Sequence, residues 1–271
     1  MRILLLGASG YVGGGLAVHL AERHEMVGTR GRRPVPGLIP IDLRDRPALA
    51  TLAADGFDLI IHAAGVVDLT TAQDDPRTAW EVNVEPMRGL VEAVPPHTRI
   101  LMLSSDNVFD GTLPTYTEGA RPTPINTYGR TKAAAEEILL QEPRHLVLRI
   151  PLVFGRSPWS DRFLERFRGP VTQARTDLVC APVYLPGLAA DLERLWHHTG
   201  LLHYGGTDVV TRYELMKRVQ SALNLDTRID PVTTTDQPDA VRRPARLVLR
   251  SVRHQLAGPD LTTALRDLAG R

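Results

Sequence analysis

Lysine is almost missing from this chain. Lys132 and Lys217 are the only two, against 30 arginines. Cysteine occurs once, at Cys180, which excludes an intramolecular disulfide and fits a reducing compartment. No apolar run approaches the ~20 residues needed to span a bilayer. The opening "ILLLG" is too short for a signal-peptide core and glycines interrupt it at once, so the chain reads as a mature cytoplasmic protein starting on its first strand. Excess charge is also missing. The formal net charge is +1, which points to neither nucleic acid nor an anionic membrane as a partner. Internal repeats and low-complexity tracts are absent. The arginine bias is read as codon usage for the chain as a whole.

What is present suits a globular protein. At 271 residues the chain can bury a sizeable core, and 43% hydrophobic with 23% charged residues is ordinary. "RILLL" (2–6) has the length of a buried parallel strand, and a glycine-rich turn and the helical pattern "LAVHLAERH" follow. "MVGTR" and "GLIPIDL" read as strands, "RPALATLAADG" as a short helix, and "FDLIIHAAG" as a buried strand. "PRTAWEVNVEPMRGLVEAV" (76–94) reads as one long helix containing a proline, followed by the strand "TRILMLSS". A Pro/Gly/Thr-rich loop covers 105–125, a helix 126–142, and "HLVLRI" is a strand. Strand and helix alternate for 150 residues, so the predicted fold is α/β, a doubly wound parallel (Rossmann) sheet. Residues 1–154 form the cofactor-binding domain in this reading. Residues 155–271 form a smaller α/β part, mainly substrate-binding, with helices at 158–168, 187–199, 211–224 and 260–269 and some segments returning to the main sheet.

Gly7, Gly10 and Gly13 make G-x-x-G-x-x-G between the first strand and the first helix. Glycine permits the tight turn and brings backbone N–H groups close to a pyrophosphate at the helix N-terminus. The end of the second strand selects the cofactor: an acid binds a ribose 2′-hydroxyl, an arginine a 2′-phosphate. "GTRGRRP" has no acid and carries Arg30, Arg32 and Arg33, so NADP(H) is expected, with NAD(H) as a second cofactor and Arg30 and Arg32 as the contacts. Asp42, in "IDL" beside Leu43, is placed to accept from an adenine amino group or to cap the surface.

"NTYGRTKAAAEE" sets Tyr128 four residues before Lys132, on one face of a helix. With six tyrosines and two lysines, such a pair is expected about 0.04 times by chance. A phenol has a pKa of about 10, and a nearby ammonium lowers it. Tyr128 would then protonate a carbonyl oxygen as hydride reaches the carbon. A strand-end hydroxyl from "LMLSSDNVFDG", Ser104 or Ser105, would stabilise the same oxygen. His197 and His198 lack a companion cluster at ligand spacing, so no metal site is expected. Trp80, Trp159 and Trp196 read as packing residues, Trp159 also standing where it would line a substrate pocket.

These motifs resemble those of the extended short-chain dehydrogenase/reductases, and most of all the dTDP-4-dehydrorhamnose reductase branch. "LLLGASGYVGGGL" is similar to its cofactor loop, "SSDNVFDG" to its S-T-D-Y-V-F-D-G, and "RPTPINTYGRTKAAAEE" to its P-x-N-x-Y-G-x-[ST]-K-x-x-x-E. "LRIPLVFG", "APVYLPGLAADL", "LLHYGG" and "RRPARLVLRS" follow in the expected order. The resemblance implies catalytic roles for Ser105, Tyr128 and Lys132, Lys132 gripping the nicotinamide ribose and lowering the Tyr128 pKa. It implies cofactor contacts at Gly10, Tyr11 and Val12, at Arg30 and Asp42, and at Ala63, Ala64 and Gly65. Ser104, Asp106, Val108 and Phe109 would face the sugar, as would Leu152, which stands where the branch has tryptophan. Asn107 stands where it has tyrosine. Sugar dehydratases carry two carboxylates after the catalytic hydroxyl, and Asp106-Asn107 supplies one. The implied activity is NADPH-dependent reduction of a keto group on a nucleotide-activated deoxysugar. The residues do not show the oligomeric state, and a homodimer is expected on base rate alone. Two alternatives stand beside this activity. One is a reductase or epimerase of another keto compound. The other is a non-catalytic NADP-binding regulatory subunit, a relative of the branch whose arginine-rich loop is similar to "GTRGRRP".

Overall fold

The computed structural model describes residues 1–236 and 241–270. Its frame is a seven-stranded sheet. In chain order β1 (Arg2–Leu6), α1 (Tyr11–Ala21), β2 (Glu25–Arg30), β3 (Ile39–Pro40), α2 (Arg46–Ala53) and β4 (Leu59–His62) come first. Then follow α3 (Leu69–Asp74), α4 (Pro76–Asn83), α5 (Glu85–Ala93), β5 (Arg99–Ser105), α6 (Thr127–Leu140) and β6 (Leu146–Ile150). The C-terminal part adds β7 (Val153–Phe154), β8 (Val171–Arg175), β9 (Val179–Cys180), β10 (Val183–Tyr184), α7 (Leu185–Leu195) and β11 (Gly200–His203). It ends with β12 (Val210–Thr211), α8 (Arg212–Leu223), β13 (Arg228–Val232), β14 (Arg246–Leu247) and α9 (Leu261–Leu268).

The sheet order is β11-β6-β5-β4-β1-β2-β3, and every pairing in it is parallel. Such a sheet is covered on both faces, which is why Ile3 to Leu6 are all fully buried. One face packs on α1 and α7, through residues such as Leu16, Leu20, Leu188 and Leu192. The other packs on α2, α5 and α6, through Leu49, Met87, Leu90 and Leu139. The strand order reverses between β1 and β4, so their carboxyl ends open a crevice there. The strand β11, at the far edge, comes from the C-terminal half. Among the described residues no helix is long and apolar enough to cross a membrane.

Local chemistry sets the helix starts. Asp45, Asp75, Asn126 and Asp260 each accept from a backbone amide three residues on, and Thr211 with Glu214 forms a reciprocal capping box. Two expected helices are not formed as read. The long helix at 76–94 is broken into α4 and α5 at Val84. Pro86 lacks an N–H and its ring would clash with the carbonyl of Val82, so it sits in the first turn of a new helix. Residues 158–168 hold only a short 3₁₀ turn, Leu164–Phe167. The Asp161 side chain accepts from the Ser157 amide (3.2 Å), which keeps the preceding stretch a loop.

Candidate active site

The cofactor turn is built by steric demand. Gly7 has φ +88°, and a Cβ there would lie 2.8 Å from Ala64 backbone atoms, so the β1 and β4 loops touch through a residue that has no side chain. A Cβ on Gly13 would lie 2.1 Å from the Gly7 carbonyl oxygen, so the third glycine serves the close packing of α1 on the turn. Gly10 caps α1 with no side-chain hydrogen bond, leaving first-turn N–H groups for an anion. These observations fit a dinucleotide pyrophosphate. Tyr11 reaches across to donate to the Gly155 carbonyl (2.9 Å), linking the turn to the C-terminal part. Val12 packs against the same apolar layer as Leu16.

Arg30 ends β2, half-buried, and Arg32 lies beside Asp42. Asp42 is exposed and ion-paired to Arg44 at 2.7 Å, which with Arg32 holds its carboxyl down at about 2. Leu43 turns inward and is buried. Arg33 donates to the Trp159 carbonyl, and a Cβ on Gly14 of α1 would lie 2.8 Å from the Trp159 ring. Trp159 therefore sits over the start of α1, on the cofactor side.

Ser105 ends β5, and Tyr128 and Lys132 lie one turn apart on α6, all three buried. The Ser105 hydroxyl, which donates to Asp106 Oδ1 (3.1 Å), lies beside the Tyr128 phenol and pulls its pKa down. Burial nevertheless pushes the phenol up to about 12. The lowering expected from Lys132 is not found here. Its ammonium points to β5 and donates to the Leu103 carbonyl (2.7 Å), and burial brings it down to about 8. Tyr128 is thus fully protonated at neutral pH. Asp106, next to Ser105, has one carboxylate oxygen with no partner among the described residues, and burial raises it to about 6 against the pull of Arg212.

Ser104, Val108 and Phe109, expected at the sugar, face elsewhere. Ser104 alternates with Ser105 along β5, so it points under α6 and donates to the Glu136 carboxylate. Val108 and Phe109 are completely buried, Phe109 stacked on Tyr116 at 4.1 Å. Leu152 is half-buried against the cluster around Phe154 and Phe163.

Asn83 and Gly129 also hold the site and escaped the motif reading. Asn83 accepts from the Val66 amide (2.7 Å) and donates to the Val66 carbonyl (3.0 Å) and the Thr131 hydroxyl (2.9 Å), tying the Ala63–Gly65 loop to α6. Gly65 is at φ +153°, and a Cβ there would lie 2.7 Å from the Asn83 oxygen. A Cβ on Gly129 would lie 2.0 Å from the Asn107 carbonyl oxygen. Asn107 also accepts from Asn126 (3.2 Å), filling the place of the branch's tyrosine. Adjacency to the motifs was the one available signal for Asn83 and Gly129. Above the site the C-terminal part brings Arg162, Arg166, Arg212 and Arg243 into one field. Loss of solvent around it and then the other three guanidinium groups lower Arg166 to about 10. Four arginines against Asp161, Asp106 and Asp68 leave this region rich in positive charge, which suits an anion.

A doubly wound sheet with a glycine turn, a strand-end serine and a Tyr-x-x-x-Lys helix defines an NAD(P)-dependent oxidoreductase of the extended short-chain type. More narrowly, the chain belongs to the RmlD substrate binding domain family, which matches residues 1–267. A Streptomyces antibioticus protein named "probable dTDP-4,6-dihydroxy-2-methyloxan-3-one 4-ketoreductase" is 31% identical over 98% of this chain and 94% of its own. The methionine adenosyltransferase 2 subunit beta of Bos taurus is 27% identical over 98% and 85%. In fold, the chain is similar to the crystal structure of dTDP-4-dehydrorhamnose reductase from Bacillus anthracis in complex with NADP, with a TM-score of 0.86, 21% identity and 98% of each chain covered.

Proposed function

We propose that this protein reduces a keto group on a nucleotide-activated deoxysugar with NADPH, as a 4-ketoreductase. The observation that carries this is the Ser105–Tyr128 hydroxyl pair, with Lys132 one turn on, in a chain 31% identical over 98% of its length to a protein named as such a ketoreductase. When bound, the cofactor supplies hydride to the carbonyl carbon. Tyr128 gives its proton to the carbonyl oxygen, and Ser105 donates a hydrogen bond to that oxygen as charge develops. Lys132 has two N–H groups left beyond its bond to Leu103 and offers them to ribose hydroxyls. Gly7, Gly10 and Gly13 shape the pyrophosphate seat, and Arg30 and Arg32 suit a 2′-phosphate. The arginine cluster supports a substrate carrying phosphates. In this reading residues 1–154 hold the cofactor and 155–271 mainly the substrate.

The test is NADPH oxidation in the presence of a dTDP-4-keto-6-deoxyhexose. Net consumption separates a reductase from an epimerase, which returns its cofactor to the starting redox state. A second reading, a non-catalytic NADP-binding subunit, is favoured by the bovine relative. Tyr128→Phe decides between them. For a reductase it removes turnover by at least about 10²-fold with NADPH affinity retained. Wild-type protein that binds NADPH and turns over no keto sugar favours the subunit.

A further inference from the structure

Beneath the Ser105–Tyr128 pair lies a buried ion pair to which hydride and proton transfer give no role. Glu136 and Arg149 are each 2% exposed. The Arg149 fork donates from Nε to both carboxylate oxygens (2.9 and 3.1 Å) and from Nη2 to Oε2 (2.6 Å). Ser104 donates to Oε1. Arg149 is itself fixed, its Nη1 3.3 Å from His203 Nε2 and its guanidinium 5.0 Å over the Phe109 ring.

Tyr128, Lys132 and Glu136 are spaced i, i+4 and i+8, one face of α6. We propose that Glu136 is a positioning residue: its carboxylate, held in place by Arg149 and Ser104, keeps the buried Lys132 ammonium charged while leaving its N–H groups free for ligand. The proposal rests on the reductase reading for its activity readout alone.

The hydrogen-bond pattern separates two duties. A carboxylate that bonded Lys132 directly would occupy the donors the ribose needs. Here both Glu136 oxygens are saturated by Arg149 and Ser104, so Lys132 receives the field of the charge without a hydrogen bond. A buried ammonium resting on one neutral carbonyl, that of Leu103, otherwise tends to lose its proton. Burial lowers Lys132, and Glu136 is the group that opposes it. The other groups facing this region do not substitute. His62 on β4 stays neutral, lowered to about 3 by burial and by Lys132 itself. Tyr128 is protonated, Arg149 on β6 has the wrong sign, and Asp106 is engaged by Ser105 and Asn107. A buried pair placed for stability alone is replaceable by apolar side chains, often without loss.

The lysine scarcity makes a direct measurement available. Protein labelled with ¹³Cε-lysine gives two lysine signals, and Lys217→Arg assigns them. Wild-type Lys132 is expected to titrate near 8. In Glu136→Gln its midpoint falls by about one pH unit or more. Glu136→Gln with Arg149→Met, which leaves no unpaired guanidinium, shows the same direction of shift. NADPH-dependent kcat/KM of the single variant is then about fivefold below wild type at pH 8 and near wild type at pH 6. A Lys132 midpoint that stays put in either folded variant overturns the proposal, as does a rate loss equal at every pH. If the wild type reduces no keto sugar, the reductase reading fails while the lysine titration still reports on Glu136.

Discussion

Gly129 directly follows the proton donor, and a methyl group there has no room. Its Cβ would overlap the Asn107 carbonyl oxygen, which belongs to the turn that follows Ser105. Gly129→Ala must therefore lift the start of α6 off that turn and part Tyr128 from Ser105. We expect a stability loss of about 1–3 kcal/mol and a kcat loss of about 10²-fold, read by thermal melting and turnover. Wild-type kcat in the alanine variant would sink this account. At this scale Ser105, Tyr128 and Lys132 were legible because of rarity and position: one of two lysines stands a helical turn after a tyrosine, downstream of a strand-end serine. The inward turn of Ser104 was not, because two adjacent serines are equivalent on paper and strand alternation assigns each to a face only once the register is known. The raised Tyr128 pKa was hidden for a similar reason. Sequence names the charged neighbour but not the depth of burial, and burial wins here.

The break between α4 and α5 places Asn83 at the end of α4, where its amide clasps Val66 and Thr131. Asn83→Ala leaves the partly buried Val66 amide and carbonyl without partners, at a cost of about 2–3 kcal/mol. It also frees the Ala63–Gly65 loop, so we expect a lower melting temperature with KM for NADPH raised more than kcat is lowered. An unchanged KM in a destabilised variant would confine Asn83 to stability. The long helix read through this break because apolar positions keep a helical spacing across it. Pro86 marks a boundary there, but whether a proline kinks a helix or starts a new one is settled by packing. Strands of the main sheet were legible from apolar runs, whereas β7, β9, β10, β12 and β14 span two residues each, too short to show alternation.

For the molecule as a whole, acid should unfold it early. Burial lowers His62 to about 3, and His145 and His203 to about 4. Unfolded, all three take protons near 6.5. Their contribution is complete above about 6.5 and is lost as pH falls towards 3–4. Asp106 acts in the opposite sense. Its carboxyl is raised to about 6, so between about 4 and 6 the folded chain holds a proton that the unfolded chain releases. Three histidines outweigh one carboxyl, and the melting temperature should fall by more than about 10 °C between pH 6.5 and 4. A flat profile over that range would contradict the burial of these imidazoles.

The edge position of β11 has a consequence for synthesis. Its partner β6 leaves the ribosome first, and at about 5–20 residues per second the strand that covers it arrives several seconds later. Until then β6 presents bare amides and carbonyls to any neighbouring chain. A nascent chain stalled after residue 154 should therefore recruit holdase chaperones, and one stalled well past His203 should release them. The protein is most vulnerable to its own kind in that interval, before the last strand of its main sheet has been made.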